Sequence, residues 1–279
     1  MITATLVVAS ASALFLRFPI PIAVFLATLL IAFVGLADDI RPIPVLPRLL
    51  LQAVAVGATI FAAPESLRVV SGLPLAIERG VLLLAGLWFV NLVNFMDGLD
   101  LMTVAEAVPI TSALITLGLI GDLPASLVFV AAALCGSMLG FSPFNRPVAS
   151  IFLGDVGSLP VGLLLGWCML QLAWHQEVLA ALLLPLYYLA DATITLFWRM
   201  TKGDPFWVAH RSHFYQCATN RGFTAARVVA EVFLLNILLA ALAIMPIWAG
   251  STGGRLLAAS AGAVAVGLLL YRFSRGRSS

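Results

Sequence analysis

Apolar residues fill long stretches of this chain, with neither the alternation of a half-buried strand nor the one-sided stripe of a surface helix. Ten such runs fall at about 2–16, 18–37, 49–63, 79–95, 102–120, 124–142, 159–174, 178–198, 228–248 and 254–271. A segment apolar on all sides belongs inside protein or lipid, and about 20 such residues in a helix cross the hydrocarbon core of a bilayer. Prolines stand at the joins, among them Pro19, Pro21, Pro42, Pro44, Pro47, Pro64, Pro124, Pro143 and Pro147, where a residue without an N–H disturbs a helix least. The pattern predicts an all-α, polytopic transmembrane helix bundle of about ten spans. A membrane barrel is excluded, because its strands would alternate apolar and polar positions.

Composition sharpens this picture. Of the 279 residues, 62% are apolar and 10% charged, with a mean hydropathy of +1.09, whereas a soluble domain carries about 25% charged residues. The longest polar interval, Arg199 to Arg227, is under thirty residues, too short for a separate soluble domain, so residues 1–279 read as one integral-membrane domain. Cys135, Cys168 and Cys217 have no CxxC spacing, which argues against a disulfide framework or a zinc site. The net charge is only +2 and the bases are scattered, so no nucleic acid partner is expected. The first base is Arg17, and an apolar start without a basic flank does not resemble a cleavable signal peptide.

Alternating the ten runs across a bilayer puts Arg41, Arg48, Arg146, Arg199, Lys202, Arg211, Arg221, Arg227, Arg272, Arg275 and Arg277 on one side. Arg17, Arg68, Arg79 and Arg255 fall on the other. The richer side should be cytoplasmic. Asp38, Asp39, Asp97, Asp100, Asp155 and Asp204 fall on that same side, although the bases alone oriented the map. A carboxylate at mid-bilayer costs about 2.5–3.5 kcal/mol on insertion scales, which explains acids at span ends but not their collection at one face.

Four segments carry the chemistry. Gly35-Leu-Ala-Asp-Asp-Ile-Arg-Pro ends an apolar run with adjacent carboxylates, an arrangement whose repulsion a cation or a protonated partner would offset, or that is simply a solvated helix end near Arg41 and Arg48. Asn91-Leu-Val-Asn-Phe-Met-Asp-Gly-Leu-Asp100 spaces Asn91, Asn94, Asp97 and Asp100 three apart, one helix face of oxygen donors suited to Mg²⁺ or Mn²⁺ rather than zinc. Phe152-Leu-Gly-Asp155-Val-Gly-Ser158 surrounds an acid with glycines just before an apolar run, a backbone able to wrap a metal or phosphate, although Ser158 also suits an ordinary helix cap. Trp207-Val-Ala-His210-Arg-Ser-His213-Phe-Tyr-Gln216 gathers two histidines and Arg211, donors for an anionic substrate or for lipid headgroups.

Gly162-xxx-Gly166 and Gly136-xxx-Gly140 read as helix-packing notches. Asp191 lies inside an apolar run, where an acid is either functional or held by hydrogen bonds in packing.

In this order the four segments resemble the polyprenyl-phosphate N-acetylhexosamine-1-phosphate transferases, over most of the chain from about Gly35 to Gln216. His-Arg-Ser-His with Tyr-Gln after it is more similar to the branch that starts bacterial surface polysaccharides than to the peptidoglycan branch. The resemblance implies transfer of a hexosamine-1-phosphate from a UDP-N-acetylhexosamine to polyprenyl (undecaprenyl) phosphate, with release of UMP and dependence on Mg²⁺ (or Mn²⁺). It implies a multi-pass protein of the bacterial inner membrane, with the site on the cytoplasmic face and a homodimer left open. Asn94 and Asp155 match the family's metal ligands. Asp38, Asp39, Asp97 and Asp100 match its catalytic carboxylates, the first two handling the lipid phosphate. Phe152 matches an aromatic that stacks on uracil, and Asn91, His210, Arg211 and His213 match substrate-binding positions.

The chain departs from the family pattern at three points. Pro42 stands where a third acid is usual, and Leu101 where a Gly is usual. The family's first helix and basic cytoplasmic loop precede the segment that starts here, so the chain is expected to lack them and to be less stable or active alone. The rival class is an ion- or proton-coupled transporter, which would place its acids near mid-membrane and often show two related halves. No internal repeat is visible.

Overall fold

The computed structural model describes residues 1–121, 123–204, 211–248, 250 and 252–275, and regular structure among them is helical throughout. The helices are α1 (Ile2–Leu16), α2 (Ile22–Ile40), α3 (Val45–Phe61), α4 (Leu75–Met96), α5 (Met102–Ile120), α6 (Ala125–Asn145), α7 (Asp155–Trp174), α8 (Val178–Leu183), α9 (Leu186–Thr201), α10 (Phe214–Asn220), α11 (Ala225–Trp248) and α12 (Thr252–Arg275). Among the described residues, seven helices (α2, α4, α5, α6, α7, α11 and α12) are long and apolar enough to cross a membrane, and α1 and α3 are shorter apolar helices. This is the architecture of a multi-pass helical membrane protein.

Proline sets many of the boundaries. Pro21, Pro44, Pro74, Pro124 and Pro185 are the residues immediately before α2, α3, α4, α6 and α9. The run expected to be one helix over 178–198 is two, because Pro185 has no amide to continue the ladder. Several helices, α3, α4 and α7 among them, also begin earlier than the apolar runs suggest. At the start of α4, Glu78 and Arg79 are buried but fully engaged. Glu78 accepts from Arg68 Nε at 2.5 Å and from the Val69 amide at 2.6 Å. Arg79 donates to the Ile60, Pro64 and Leu67 carbonyls and lies over the Trp174 ring. A buried charge with its hydrogen bonds satisfied is tolerated where a bare one is not.

The packing is organised around α7, the most buried of the long helices, which lies against α2 and α4. Glycine makes both contacts close. A Cβ on Gly35 would come within 2.3 Å of the Asp155 carbonyl oxygen, and one on Gly162 within 3.0 Å of the Val90 backbone. The Gly162/Gly166 pair is therefore the packing notch its spacing suggests. The Gly136/Gly140 pair is not, since a Cβ at either would meet nothing within 4 Å; both glycines line an open groove between α1, α2, α6 and α7. The close approach of α2 to α7 fixes where the C-terminal end of one meets the N-terminal end of the other, and the acidic residues lie at that junction.

Candidate active site

The junction is built from the C-terminal ends of α2 and α4, the start of α3 and the N-terminal end of α7. Gly154, just before α7, has φ +62°, a conformation that favours glycine. The Asp39 carboxylate occupies the space beside it: a Cβ on Gly154 would lie 2.7 Å from Asp39 Oδ2. From α2, Asp39 accepts hydrogen bonds from the Asp155 and Val156 amides, each at 3.0 Å. The first turn of α7, which has no cap from its own chain neighbours, is thus capped by the preceding acidic motif. A carboxylate there also complements the positive end of the helix dipole.

Asp38 faces a different set of groups. It accepts from the Ile43 amide at 2.6 Å and from Arg48 at 2.7 Å. The same Arg48 nitrogen lies 3.6 Å from Asp155 Oδ2, so one guanidinium ties the acidic motif to the glycine-flanked acid. Asn94 completes the cluster from α4, donating to Asp155 Oδ1 at 2.7 Å and to Ser158 Oγ at 2.9 Å. With its amide nitrogen so used, Asn94 Oδ1 remains as an oxygen donor beside the Asp155 carboxylate.

Beyond Asn94 the chain leaves α4 and turns into α5. Asp97 accepts from the Thr103 hydroxyl. Removal from water pushes the Asp97 carboxyl up to about 7, the Thr103 hydroxyl opposing the rise and the nearby Asp155 charge adding to it. Asp100 accepts from the Ala149 amide at 3.2 Å. Leu101 adopts φ +65°, ψ +4°, which explains why glycine is the usual residue there in the resembling family: a side chain in left-handed backbone costs roughly 1–2 kcal/mol. Its amide is held by Asn145 Oδ1 at 2.7 Å, and Asn145 also donates to the Ile151 carbonyl at 2.9 Å. Asn145 therefore locks the α4–α5 turn to the segment that carries Phe152.

These groups enclose a polar pocket of about 270 Å³ lined by Asn94, Asp97, Gly98, Leu99, Asp100, Asn145, Phe152, Leu153, Gly154, Asp155 and Ser158. Phe152 is 72% exposed at its rim, a free aromatic face of the kind that takes a stacked base. The donors are oxygens, as hard divalent cations require. Among the described residues no three His, Cys, Asp or Glu side chains converge as a ready-made metal cage.

Not every residue singled out in the sequence lines this pocket. Asn91 is buried one turn back along α4, donating to Gln52 on α3 at 2.7 Å and to the Leu87 carbonyl at 2.8 Å; the structure puts it in the α3–α4 contact. His213 is 3% exposed and precedes α10, its ring 3.3 Å from Asp191. Arg211 is exposed, and His210 lies outside the described residues. The α10 segment nonetheless adjoins the pocket: Tyr215 donates to the Phe95 carbonyl at 3.0 Å, and a Cβ on Gly98 would collide with the Tyr215 hydroxyl. Sequence reading missed Asn145, and it set Arg48 near Asp38 and Asp39 without giving it a part in the site. The only local signals were a base just beyond the proline-rich turn after Asp38/Asp39, and an amide at the very end of an apolar run.

The model of glycosyl transferase family 4 matches residues 21–173, which reach from the start of α2 almost to the end of α7. The chain is also 30% identical over 170 residues to a phospho-N-acetylmuramoyl-pentapeptide-transferase of Bartonella quintana (strain Toulouse), an alignment covering 54% of this chain and 46% of that protein. It thus spans about half the length of the curated relative it matches.

Proposed function

The chain belongs to glycosyl transferase family 4, the family of the polyprenyl-phosphate hexosamine-1-phosphate transferases, and from that premise we propose that it transfers a hexosamine-1-phosphate from a UDP-N-acetylhexosamine to polyprenyl phosphate, releasing UMP. The observation that carries this reading is the convergence of Asp38, Asp39, Asn94 and Asp155, from three separate helices, on one hydrogen-bonded cluster at the mouth of a polar pocket.

The chemistry is an exchange of one phosphoanhydride for another. An oxygen of the lipid phosphate bonds to the sugar-bearing phosphorus, the bridging P–O bond to UMP breaks, and UMP departs with the electron pair. A phosphate monoester has its second pKa near about 6, so the acceptor is already mostly a dianion at neutral pH. Little base catalysis is required; the obstacle is bringing a dianion to an anionic diphosphate. Mg²⁺ held by Asp155 and the Asn94 amide oxygen would supply the charge neutralisation that this approach needs. Arg48, fixed by Asp38, keeps a permanent positive charge at the same junction, and exposed Arg211 is suited to a substrate phosphate. Asp38 is the carboxylate beside the incoming lipid phosphate. Asp39, with both oxygens already on backbone amides, orients Asp155. Phe152 offers its face to the uracil.

The reading places the pocket on the cytoplasmic face of the bacterial inner membrane, where nucleotide sugars are made. The rival reading, a coupled transporter, fits less well, because the carboxylate cluster stands at helix ends rather than at mid-helix. The test is to supply purified protein with UDP-N-acetylglucosamine or UDP-N-acetylgalactosamine, undecaprenyl phosphate and Mg²⁺. UMP and a lipid-linked sugar should form in equal amounts, and chelation by EDTA should stop both. Absence of a lipid product with every hexosamine donor would refute the proposal.

A further inference from the structure

Asp191 is fully buried in α9, where an unpaired carboxylate would be expelled or neutralised. Its two oxygens are saturated. Oδ1 accepts from the Phe214 amide at 3.0 Å and Thr195 Oγ1 at 3.4 Å, and lies 3.3 Å from His213 Nδ1. Oδ2 accepts from the Tyr215 amide at 3.1 Å and from Tyr187 Oη at 3.2 Å. The two backbone donors are the first amides of α10, so an acid from one helix caps the start of another. The ring can make the Nδ1 contact as a donor when that nitrogen carries the proton.

The far side of α10 leans on the pocket. The His213 ring stacks on Phe95 with centroids 6.4 Å apart and on Tyr215 at 5.9 Å. The Tyr215 hydroxyl reaches the Phe95 carbonyl over Gly98. A continuous series of contacts therefore runs from Asp191 through α10 to the turn that carries Asp97 and Asp100, just beyond Asn94 on α4.

We propose that Asp191 is a positioning residue for use of the nucleotide sugar: it holds the Arg211–Tyr215 segment in register against the α4–α5 turn, without touching substrate itself. The proposal rests on the transfer reading above. It requires a carboxylate and not merely a buried polar group. Asparagine has nearly the same volume, but its amide would point a donor at one of the two backbone N–H groups, whereas glutamate keeps two acceptors.

The experiment compares wild type, Asp191→Asn, Asp191→Glu, His213→Ala and the Asp191→Asn/His213→Ala double variant, each first shown by melting temperature and detergent gel filtration to be folded. Steady-state kinetics with both substrates are paired with hydrogen exchange of the 211–220 amides and with UDP-sugar binding. Asp191→Asn should speed exchange in 211–220 and lower kcat/KM for the UDP-sugar about 30-fold or more, while KM for polyprenyl phosphate stays within about threefold. Asp191→Glu should recover much of the loss, and the double variant should be no worse than His213→Ala, as expected of residues acting as one unit. Unchanged exchange, equal damage to both substrates, or multiplicative losses in the double variant would each overturn the proposal. A wild-type protein without turnover overturns the transfer reading instead. Exchange and binding then still decide: faster exchange with weaker UDP-sugar binding upholds the role of Asp191, and unchanged values refute it.

Discussion

Adjacent residues in this protein do different work, and hydrogen bonding separates them. Asp38 and Asp39 are indistinguishable in sequence, yet one pairs with Arg48 while the other caps α7. The cap predicts the behaviour of Asp39→Asn. One of its two amide-accepting oxygens becomes a donor, so the variant should lose about 1 kcal/mol of stability, read as a lowered melting temperature, and should lose activity through a displaced Asp155. Arg211 is the opposite case, a side chain exposed at the surface. Arg211→Ala should raise KM for the UDP-sugar at least about tenfold with little change in melting temperature, and Arg211→Lys should restore only part of it, because a point charge does not replace a bidentate fork. Equal kinetics for wild type and both variants would make the segment a lipid-facing surface only. The sequence could name the residue types here but not their partners: Arg48 and Asn145 act on groups that only folding brings near, and the isolated Asp191 gave no hint that it would cap α10.

At the scale of the elements, the apolar runs were a reliable guide wherever a helix is long and ends at proline or at a charged residue left in water. They failed where a charge is buried with its partners, as at Glu78 and Arg79, or where proline divides an apolar run, as at Pro185. They could not disclose α10, since seven residues held by a distant carboxylate carry no periodicity of their own. The glycine spacings were equally divided: Gly162 seats α7 on α4, whereas Gly136 and Gly140 face an open groove. The tightest helix contact in the site is Gly35 against the Asp155 backbone. Gly35→Ala has no flexible side chain to displace and must part α2 from α7. It should therefore cost about 1–3 kcal/mol, the range for an overpacked core, and should reduce activity more than Gly72→Ala, a glycine with open space around it. A melting curve and a turnover assay on the two variants check this.

For the molecule as a whole, the account joins a membrane orientation to a chemistry. The orientation predicts that, in a cysteine-free background, Arg41→Cys is labelled by an impermeant maleimide only from the cytoplasmic side and Glu65→Cys only from the opposite side; both positions are exposed. The reverse pattern would leave the pocket on the wrong face for a cytosolic nucleotide sugar. The chemistry rests on Asp155, a carboxylate that both Asn94 and Arg48 reach and the first residue of the helix turn that Asp39 caps. The most direct measurement is UMP release by wild type and Asp155→Asn across a Mg²⁺ titration, with UDP-N-acetylhexosamine and undecaprenyl phosphate saturating. The account predicts Mg²⁺-dependent release by wild type and a fall of at least about a hundredfold in the folded variant, equivalent to the loss of several kcal/mol of transition-state stabilisation. Near-normal release by Asp155→Asn at limiting Mg²⁺ would contradict it.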